Sequence, residues 1–89
     1  MSYLATTAVE PLPDFQLLVT YQNGERRIFD MTPFLDKGVF RELRDPSVFN
    51  SVRPAFDTVE WSNGADLAPE TLYGQSRPAA AFATTGVTP

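Results

Sequence analysis

The sequence of 89 residues contains no cysteine and no histidine. Without cysteine the chain can form no disulfide and has no thiol nucleophile, and without either residue it lacks the ligands of a zinc finger. The missing imidazole also excludes a Ser-His-Asp triad and a histidine general base. We therefore expect a protein that is not an enzyme and that holds no metal or cofactor.

Long apolar runs are also missing from the chain. No run approaches the roughly 20 residues that span a bilayer. The segment from residue 1 to residue 9 lacks the basic start and the apolar centre of a secretory signal. We therefore expect a cytoplasmic protein that does not contact a membrane.

Positive charge is scarce and dispersed. Seven Lys and Arg stand against eleven Asp and Glu, so the formal net charge is −4. Between Asp57 and Glu70 every charge is negative. Proteins that bind duplex nucleic acid normally present a basic stripe to the phosphates. We therefore expect no direct binding of nucleic acid by this chain.

Two Asn-Gly pairs are the clearest local signals. Asn23-Gly24 separates a run of branched and aromatic residues ending at Tyr21 from a second run that begins at Arg26. Such a pair favours a hairpin with a two-residue turn. In that register Tyr21 faces Arg26, Val19 faces Ile28 and Leu18 faces Phe29. Leu17, Val19 and Ile28 then share the core face.

The second pair, Asn63-Gly64, follows a strand-like run over residues 55–61. In a two-residue turn Asp66 stands opposite Trp61. A short helical turn is predicted over residues 69–73, with proline at its first position and Gly74 at its end.

The segments around these hairpins predict a further strand and several short helices. Val9 and Leu12 indicate a first strand. Thr32-Pro33 and Asp45-Pro46 each suit the start of a short helix, and Val39, Phe40 and Leu43 recur at helical spacing. The sequence thus predicts an α+β fold, a small antiparallel meander with short helices packed on the sheet.

The length suits a single domain, for which we expect residues 4–75. From residue 76 to residue 89 the chain consists mainly of Ala, Thr, Pro and Gly, with a single charge at Arg77. So little apolar area does not offset the entropy of ordering, and a flexible tail is expected there.

The segment between residues 7 and 73 resembles the bacterial domain of unknown function 2442 family. The resemblance rests on several short segments and is most specific at Trp61-Ser62-Asn63-Gly64-Ala65-Asp66-Leu67; the others include Val9-Glu10-Pro11-Leu12, Leu17–Tyr21, Asn23-Gly24-Glu25, Phe29-Asp30-Met31, Gly38-Val39-Phe40 and Leu43-Arg44-Asp45. It implies a small α+β fold with no established catalytic residues. Some relatives carry a helix-turn-helix domain after this module, for which the chain after residue 75 is too short. Others stand alone beside a second small protein, as toxin–antitoxin pairs do.

The acidic residues give no pattern that is typical of a site. Asp57, Glu60, Asp66 and Glu70 are spaced neither as a pair of hydrolytic carboxylates nor as an oxygen-ligand cation loop. A solvated acidic face is the favoured interpretation. For Asp30 and Asp66 we favour a local role, in which the carboxylate accepts backbone N–H bonds after a turn.

Six residues are candidates for contacts with a partner. Trp61 would be an interface anchor, although a place in the core is favoured in so small a domain. Asp66 lies close to Trp61 in sequence. Arg26, Arg27, Arg41 and Arg44 would meet a phosphate or an acidic partner, although Arg26 and Arg27 would equally protect a strand edge. Asn23, Gly24, Asn63 and Gly64 are interpreted as structural turn residues.

The first functional hypothesis is a protein-interaction module, antitoxin-like or accessory in a two-protein bacterial system. Its partner would be the product of a neighbouring gene, or a second copy that pairs through an edge strand. One alternative is a small-molecule binder or small enzyme that uses Trp61 and Asp66. Another is an accessory to a transcription regulator, which reaches DNA only through another protein.

Overall fold

A computed structural model of the protein describes residues 4–79. These residues form an antiparallel sheet in the order β1-β2-β3-β6 and a separate antiparallel pair, β4-β5. The strands are β1 (Thr6–Leu12), β2 (Gln16–Tyr21), β3 (Arg26–Asp30), β4 (Arg53–Ala55), β5 (Thr58–Glu60) and β6 (Arg77–Pro78). The helical segments are two 3₁₀ helices (Thr32–Phe34 and Gly38–Arg44), α1 (Pro46–Phe49) and α2 (Pro69–Gly74). This architecture confirms the predicted α+β class. No helix in the described part of the chain is long and apolar enough to cross a bilayer.

The register of the first hairpin differs from the prediction by one residue. Thr20 pairs with Arg26, and Leu18 pairs with Ile28. The N–H of Tyr21 donates to the carbonyl of Glu25 at 2.8 Å, so the loop contains three residues and not two. The predicted pairing of Tyr21 with Arg26 was therefore wrong.

The side chain of asparagine explains the longer loop. The two-residue turn that Asn-Gly favours, type I′, needs positive φ at both positions, but here only Gly24 has it, at φ +87°. The turn is closed by the N–H of Gly24, which donates to the carbonyl of Tyr21 at 2.8 Å, and Asn23 Oδ1 accepts the N–H of the next residue, Glu25, at 3.0 Å. The same arrangement recurs at the second pair, where Asn63 Oδ1 accepts the N–H of Ala65 at 3.1 Å.

The changed register moves Ile28 to the other face of the sheet. Directly opposed residues share a face, so Leu17 lies beside Phe29 and Leu18 beside Ile28. Leu17 and Phe29 belong to the main core cluster, which does not include Ile28. Ile28 is nevertheless buried. The prediction that Ile28 shares a face with Leu17 was wrong.

The predicted strand over residues 55–61 is interrupted by a hairpin. Ala55 pairs with Thr58, which leaves Phe56 and Asp57 as a two-residue turn. Phe56 occupies the left-handed region at φ 57°. No glycine or asparagine marks this reversal in the sequence, so propensity alone gave no signal for it.

Short helices form where the sequence predicts them. Asp45 caps α1, since its Oδ1 accepts the N–H of Ser47 at 3.0 Å. The segment around Val39 is a 3₁₀ helix, and α2 begins at Pro69 as expected. Helices this short depend on packing for their stability.

The folded unit extends beyond residue 75. In β6, Arg77 pairs with Ile28 and Pro78 pairs with Arg27. Ser76 is also bonded to Arg27. The boundary predicted at residue 75 was therefore too early, and residues 80–89 of the predicted tail lie outside the described residues.

Candidate functional site

Five side chains form a polar and aromatic cluster where the first hairpin meets the end of α2. Within this tyrosine–arginine cluster, Arg27 Nη1 lies 2.7 Å from Glu25 Oε2, and its guanidinium carbon lies 4.4 Å from the centre of the Tyr73 ring. Arg27 also donates to the backbone carbonyl of Ser76 at 2.8 Å and to its hydroxyl at 2.5 Å. The Tyr73 hydroxyl donates to Glu25, and the Tyr21 ring meets that of Tyr73 edge-on at 5.3 Å.

The contacts of the cluster shift three pKa values. The hydrogen bond from Arg27 is the main cause that lowers the pKa of Glu25 below its usual range. The hydrogen bond to Glu25 raises the pKa of Tyr73. Burial raises the pKa of Tyr21 to about 12. The first two shifts favour the charged carboxylate of Glu25 and the protonated phenol of Tyr73, so their hydrogen bond joins the first hairpin to α2.

The tip of the β4–β5 hairpin presents an apolar side chain to solvent. Phe56 is 93% exposed, and Val39 is the other exposed large hydrophobic residue of the described part, at 44%. The carbonyl of Phe56 accepts the N–H of Thr6 at 2.7 Å. The Thr6 hydroxyl lies 3.0 Å from the same carbonyl and 2.8 Å from the carbonyl of Thr58. The start of β1 therefore fixes the backbone under the Phe56 ring.

An apolar groove of about 290 Å³ lies between the β1–β2 turn and α1. Phe15 and Phe49 contribute aromatic rings that meet edge-on at 5.3 Å, and Pro46 adds to the lining. Asp14 and Asn50 are the two polar lining residues. Asp14 and Phe15 have φ angles of 63° and 60°, a conformation that costs about 1–2 kcal/mol for residues other than glycine.

The model of one protein family, described as "Protein of unknown function (DUF2442)", matches residues 6–78. The chain belongs to this family. The match begins at the first residue of β1 and ends at the last residue of β6, so the DUF2442 domain coincides with the folded unit. Comparison with curated proteins found no match, and comparison with solved structures found none either.

Trp61 lies in the core of the DUF2442 domain. Its side chain is 1% exposed, and its Nε1 donates to the carbonyl of Phe49 at 3.1 Å. Its ring meets that of Phe40 edge-on at 6.3 Å. The favoured core placement is confirmed, and the role of Trp61 as a surface anchor was wrong because the ring is not accessible to a partner.

Asp66 is exposed at the end of the second turn. It pairs with Glu60 through an isolated bridge, whereas the prediction placed it opposite Trp61. The same extra loop residue that shifts the first hairpin causes this difference. Within residues 4–79 the Asp66 carboxylate accepts no hydrogen bond, so its predicted local role was wrong. Asp30 does have that role, since its Oδ1 accepts the N–H of Thr32 at 2.9 Å.

The four candidate arginines do not form one site. Arg27 is enclosed in the tyrosine–arginine cluster and is covered on one side by β6, so it does not protect an edge. Arg26 is exposed on the opposite face of β3. Arg41 and Arg44 are exposed on the 3₁₀ helix, where a spacing of three places them on one face.

The acidic residues of the second half do not converge. Among residues 4–79 there is no group of three or more carboxylates close enough to hold a metal ion. Glu60 is instead paired with Arg53, whose Nε donates to its Oε2 at 2.9 Å.

Sequence reasoning missed Phe56 and the Glu25–Tyr73–Ser76 part of the cluster. Glu25 and Tyr73 are 48 residues apart in the chain, and no local pattern links them. For Phe56 no turn residue in the sequence marks the reversal, which follows from the pairing of β4 with β5 in the fold.

The buried hydroxyl of Tyr21 leads to a first prediction. Among the described residues it has no hydrogen-bond partner, and an unpaired buried polar group costs about 1–3 kcal/mol. We expect Tyr21→Phe to leave stability unchanged or to raise it by about 1 kcal/mol, measured by urea unfolding at pH 7.

The same variant should change the alkaline limb of the stability profile. A tyrosine whose pKa is raised in the folded state contributes stability that is complete below its unfolded pKa of 10.0 and is lost as the pH rises through the folded value of about 12. Tyr21→Phe should reduce this loss. A fall of 1 kcal/mol or more at pH 7 would instead indicate that the hydroxyl has a stabilising partner.

Proposed function

We propose that this domain is a non-enzymatic protein-interaction module whose main contact is Phe56 at the tip of the β4–β5 hairpin. In this proposal it acts as the antitoxin-like or accessory half of a two-protein bacterial system. The contact surface consists of the Phe56 ring together with Pro54 and Arg53, which are exposed on the adjacent strand.

The exposure of Phe56 is the observation that carries the proposal. Burying a phenylalanine side chain is worth about 1.5–3 kcal/mol, and the free domain forgoes this gain. The left-handed backbone of Phe56 adds a further cost of about 1–2 kcal/mol that glycine would avoid. Such strain persists where the surrounding structure imposes it, as the two contacts from Thr6 do here, and it is typical of functional positions. A rigid backbone also lowers the entropic cost of docking the ring.

Side-chain docking suits this fold better than strand addition. β1 is an edge strand, but its ladder is interrupted by a bulge between Thr6 and Ala8, and Pro11 offers no N–H. The opposite edge is β6, which is two residues long. Bulges, prolines and short edges are the features by which sheets avoid pairing with other strands.

The charge of the chain favours a basic partner. With a net charge of −4, the domain attracts a positively charged protein and accelerates its association at low salt. Arg53 near the tip does not oppose this, because it is already paired with Glu60.

The rival hypothesis of a binder or enzyme at Trp61 and Asp66 has little support. Trp61 is buried and Asp66 is exposed, and the groove is lined by other residues. The other alternative, an accessory to a transcription regulator, is also an interaction role and would be distinguished by the identity of the captured partner.

The test is affinity purification of the tagged full chain from its native host, with the neighbouring gene intact. We expect the wild-type chain to retain a stoichiometric basic protein, identified by mass, and Phe56→Ala to lose at least nine tenths of it. Phe56→Gly should lose it equally while relaxing the strained turn, which separates the missing ring from misfolding.

Val39→Ala is the matched control, since it truncates the other exposed large hydrophobic residue of the described part. It should retain the partner at the wild-type level. Equal retention by Phe56→Ala and Val39→Ala would contradict the assignment of the contact to Phe56.

A further inference from the structure

The two Asn-Gly loops of the chain are alike in their local geometry. Both glycines have positive φ, 87° at Gly24 and 90° at Gly64. In each loop the asparagine Oδ1 accepts the N–H two residues ahead. The glycine N–H donates to the carbonyl of Tyr21 at 2.8 Å in the first loop and to that of Trp61 at 3.0 Å in the second. A difference in reactivity between the two asparagines must therefore come from contacts with the rest of the fold.

The amide nitrogens of the two asparagines have different surroundings. Asn63 is half-buried, and its Nδ2 donates to Glu42 Oε1 at 2.8 Å and to the carbonyl of Val39 at 3.5 Å. Asn23 is exposed, and within residues 4–79 its Nδ2 donates no hydrogen bond. The second 3₁₀ helix thus holds the side-chain amide of Asn63, whereas the amide of Asn23 is held only by the bond that its Oδ1 accepts from Glu25.

An asparagine followed by glycine can lose its amide without an enzyme, and asparagine is among the thermolabile residues. The glycine backbone nitrogen attacks Cγ of the asparagine, so that a new C–N bond forms and the Cγ–Nδ2 bond breaks. The proton of the glycine nitrogen passes to the leaving group, which departs as ammonia. Water then opens the five-membered imide at either carbonyl and gives aspartate or isoaspartate. Glycine has no Cβ to obstruct the attack.

We propose that Asn23 is a site of spontaneous deamidation in the folded protein and that Asn63 is protected by its contact with Glu42. Each side chain must rotate and give up its Oδ1 bond before Cγ reaches the glycine nitrogen. Asn63 must also give up a hydrogen bond to a charged acceptor, which is stronger than one between neutral groups. We expect deamidation to be about tenfold faster at Asn23, a difference of about 1.4 kcal/mol in activation free energy. The inference goes beyond the proposed function and does not depend on Phe56.

Deamidation at Asn23 changes the loop beside the tyrosine–arginine cluster. The aspartate product keeps an oxygen that accepts the N–H of Glu25, but it adds one negative charge to the net charge of −4. The isoaspartate product lengthens the loop backbone by one CH₂ and places the free carboxylate on Cα, so this acceptor is lost. The carboxylate of Glu25 contacts Arg27 and Tyr73. The modified residue therefore lies two positions from the contact that joins the first hairpin to α2.

The test is incubation of the purified full chain at mildly alkaline pH, followed by digestion and mass analysis of the peptide that contains each Asn-Gly pair. Conversion of an amide to an acid is read from the change in peptide mass. We expect the converted fraction to rise about ten times faster at Asn23 than at Asn63. In urea that unfolds the chain the two rates should become similar, because the pairs are then chemically alike. Equal rates in the folded protein, or no conversion at Asn23, would overturn the proposal.

Variants of Glu42 test whether this contact, rather than the fold in general, protects Asn63. Glu42 is exposed, so Glu42→Ala removes the acceptor without changing the core. Glu42→Gln is the matched control, because it keeps a side-chain oxygen that accepts a hydrogen bond. We expect Glu42→Ala to raise the rate at Asn63 toward that at Asn23, and Glu42→Gln to leave it closer to the wild-type value. The rate at Asn23, which should be the same in all three chains, is the internal reference. An unchanged rate at Asn63 in Glu42→Ala would overturn the role of Glu42.

Discussion

Replacement of Trp61 by alanine should cost about 3–5 kcal/mol of unfolding free energy, the usual loss when a buried tryptophan is truncated. The Trp61 side chain is among the largest of the core and is 1% exposed. Its ring contacts that of Phe40, and its Nε1 donates to the carbonyl of Phe49. A domain of this length has a total stability of about 4–13 kcal/mol, at roughly 0.05–0.15 kcal/mol per residue. Trp61→Ala should therefore leave a marginal or unfolded protein.

The single tryptophan makes this prediction directly measurable. The emission of the folded protein should be blue-shifted and should move to longer wavelength on unfolding in urea, since the chain contains one Trp. Trp61→Phe, followed by far-ultraviolet circular dichroism, serves as the graded control. It keeps an aromatic ring but leaves the Phe49 carbonyl without its donor, at a cost of about 1–3 kcal/mol. A loss below 1 kcal/mol for Trp61→Ala would contradict the core placement.

The turns show what the sequence could and could not predict. Both Asn-Gly pairs mark reversals of the chain, and the strands on either side of Asn23-Gly24 are where the pattern places them. The register was missed because Asn-Gly is compatible with two loops that differ by one residue. The choice depends on whether asparagine adopts positive φ or accepts a backbone N–H, and at Asn23 and Asn63 it accepts the N–H.

Contacts between distant residues account for the rest of what was missed. Phe56 is placed at a turn by the pairing of β4 with β5 and by Thr6, which is 50 residues away. Trp61 could be placed in the core because a small domain has few large apolar side chains to bury. The contacts of the Trp61 side chain, by contrast, depend on how α1 packs against the segment that follows β5. No local pattern in the sequence specifies that packing.

Two arginines that are alike in the sequence also differ in the fold. Arg26 and Arg27 are neighbours in sequence with identical chemistry, and sequence analysis therefore interprets them in the same way. In the fold their side chains point to opposite faces of β3, so one is solvated and the other joins β3 to α2 and β6. The difference between them is a consequence of register, and it provides a matched pair for experiment.

Arg27→Met should destabilise the domain by about 2–4 kcal/mol, whereas Arg26→Met should change its stability by less than about 0.5 kcal/mol. The Arg27 side chain is 14% exposed, and its loss leaves the Glu25 carboxylate and the Ser76 carbonyl without their cationic donor. Methionine retains the apolar stem, so the difference between the two variants reports the guanidinium and not the packing. Both would be measured by urea unfolding at pH 7.

The pH dependence of these variants identifies the partner that matters. Glu25 has a lower pKa when folded than when unfolded, so its contribution to stability is complete above the unfolded value of 4.5 and is lost as the pH falls through the folded one. Because Arg27 is the main cause of that lowering, Arg27→Met should flatten the acid limb of the stability profile, and Arg26→Met should leave it as in the wild type. An unchanged acid limb in Arg27→Met would mean that the Tyr73 hydroxyl alone holds Glu25 charged. The cluster would then join the first hairpin to α2 through the tyrosine, with the arginine only covering its ring.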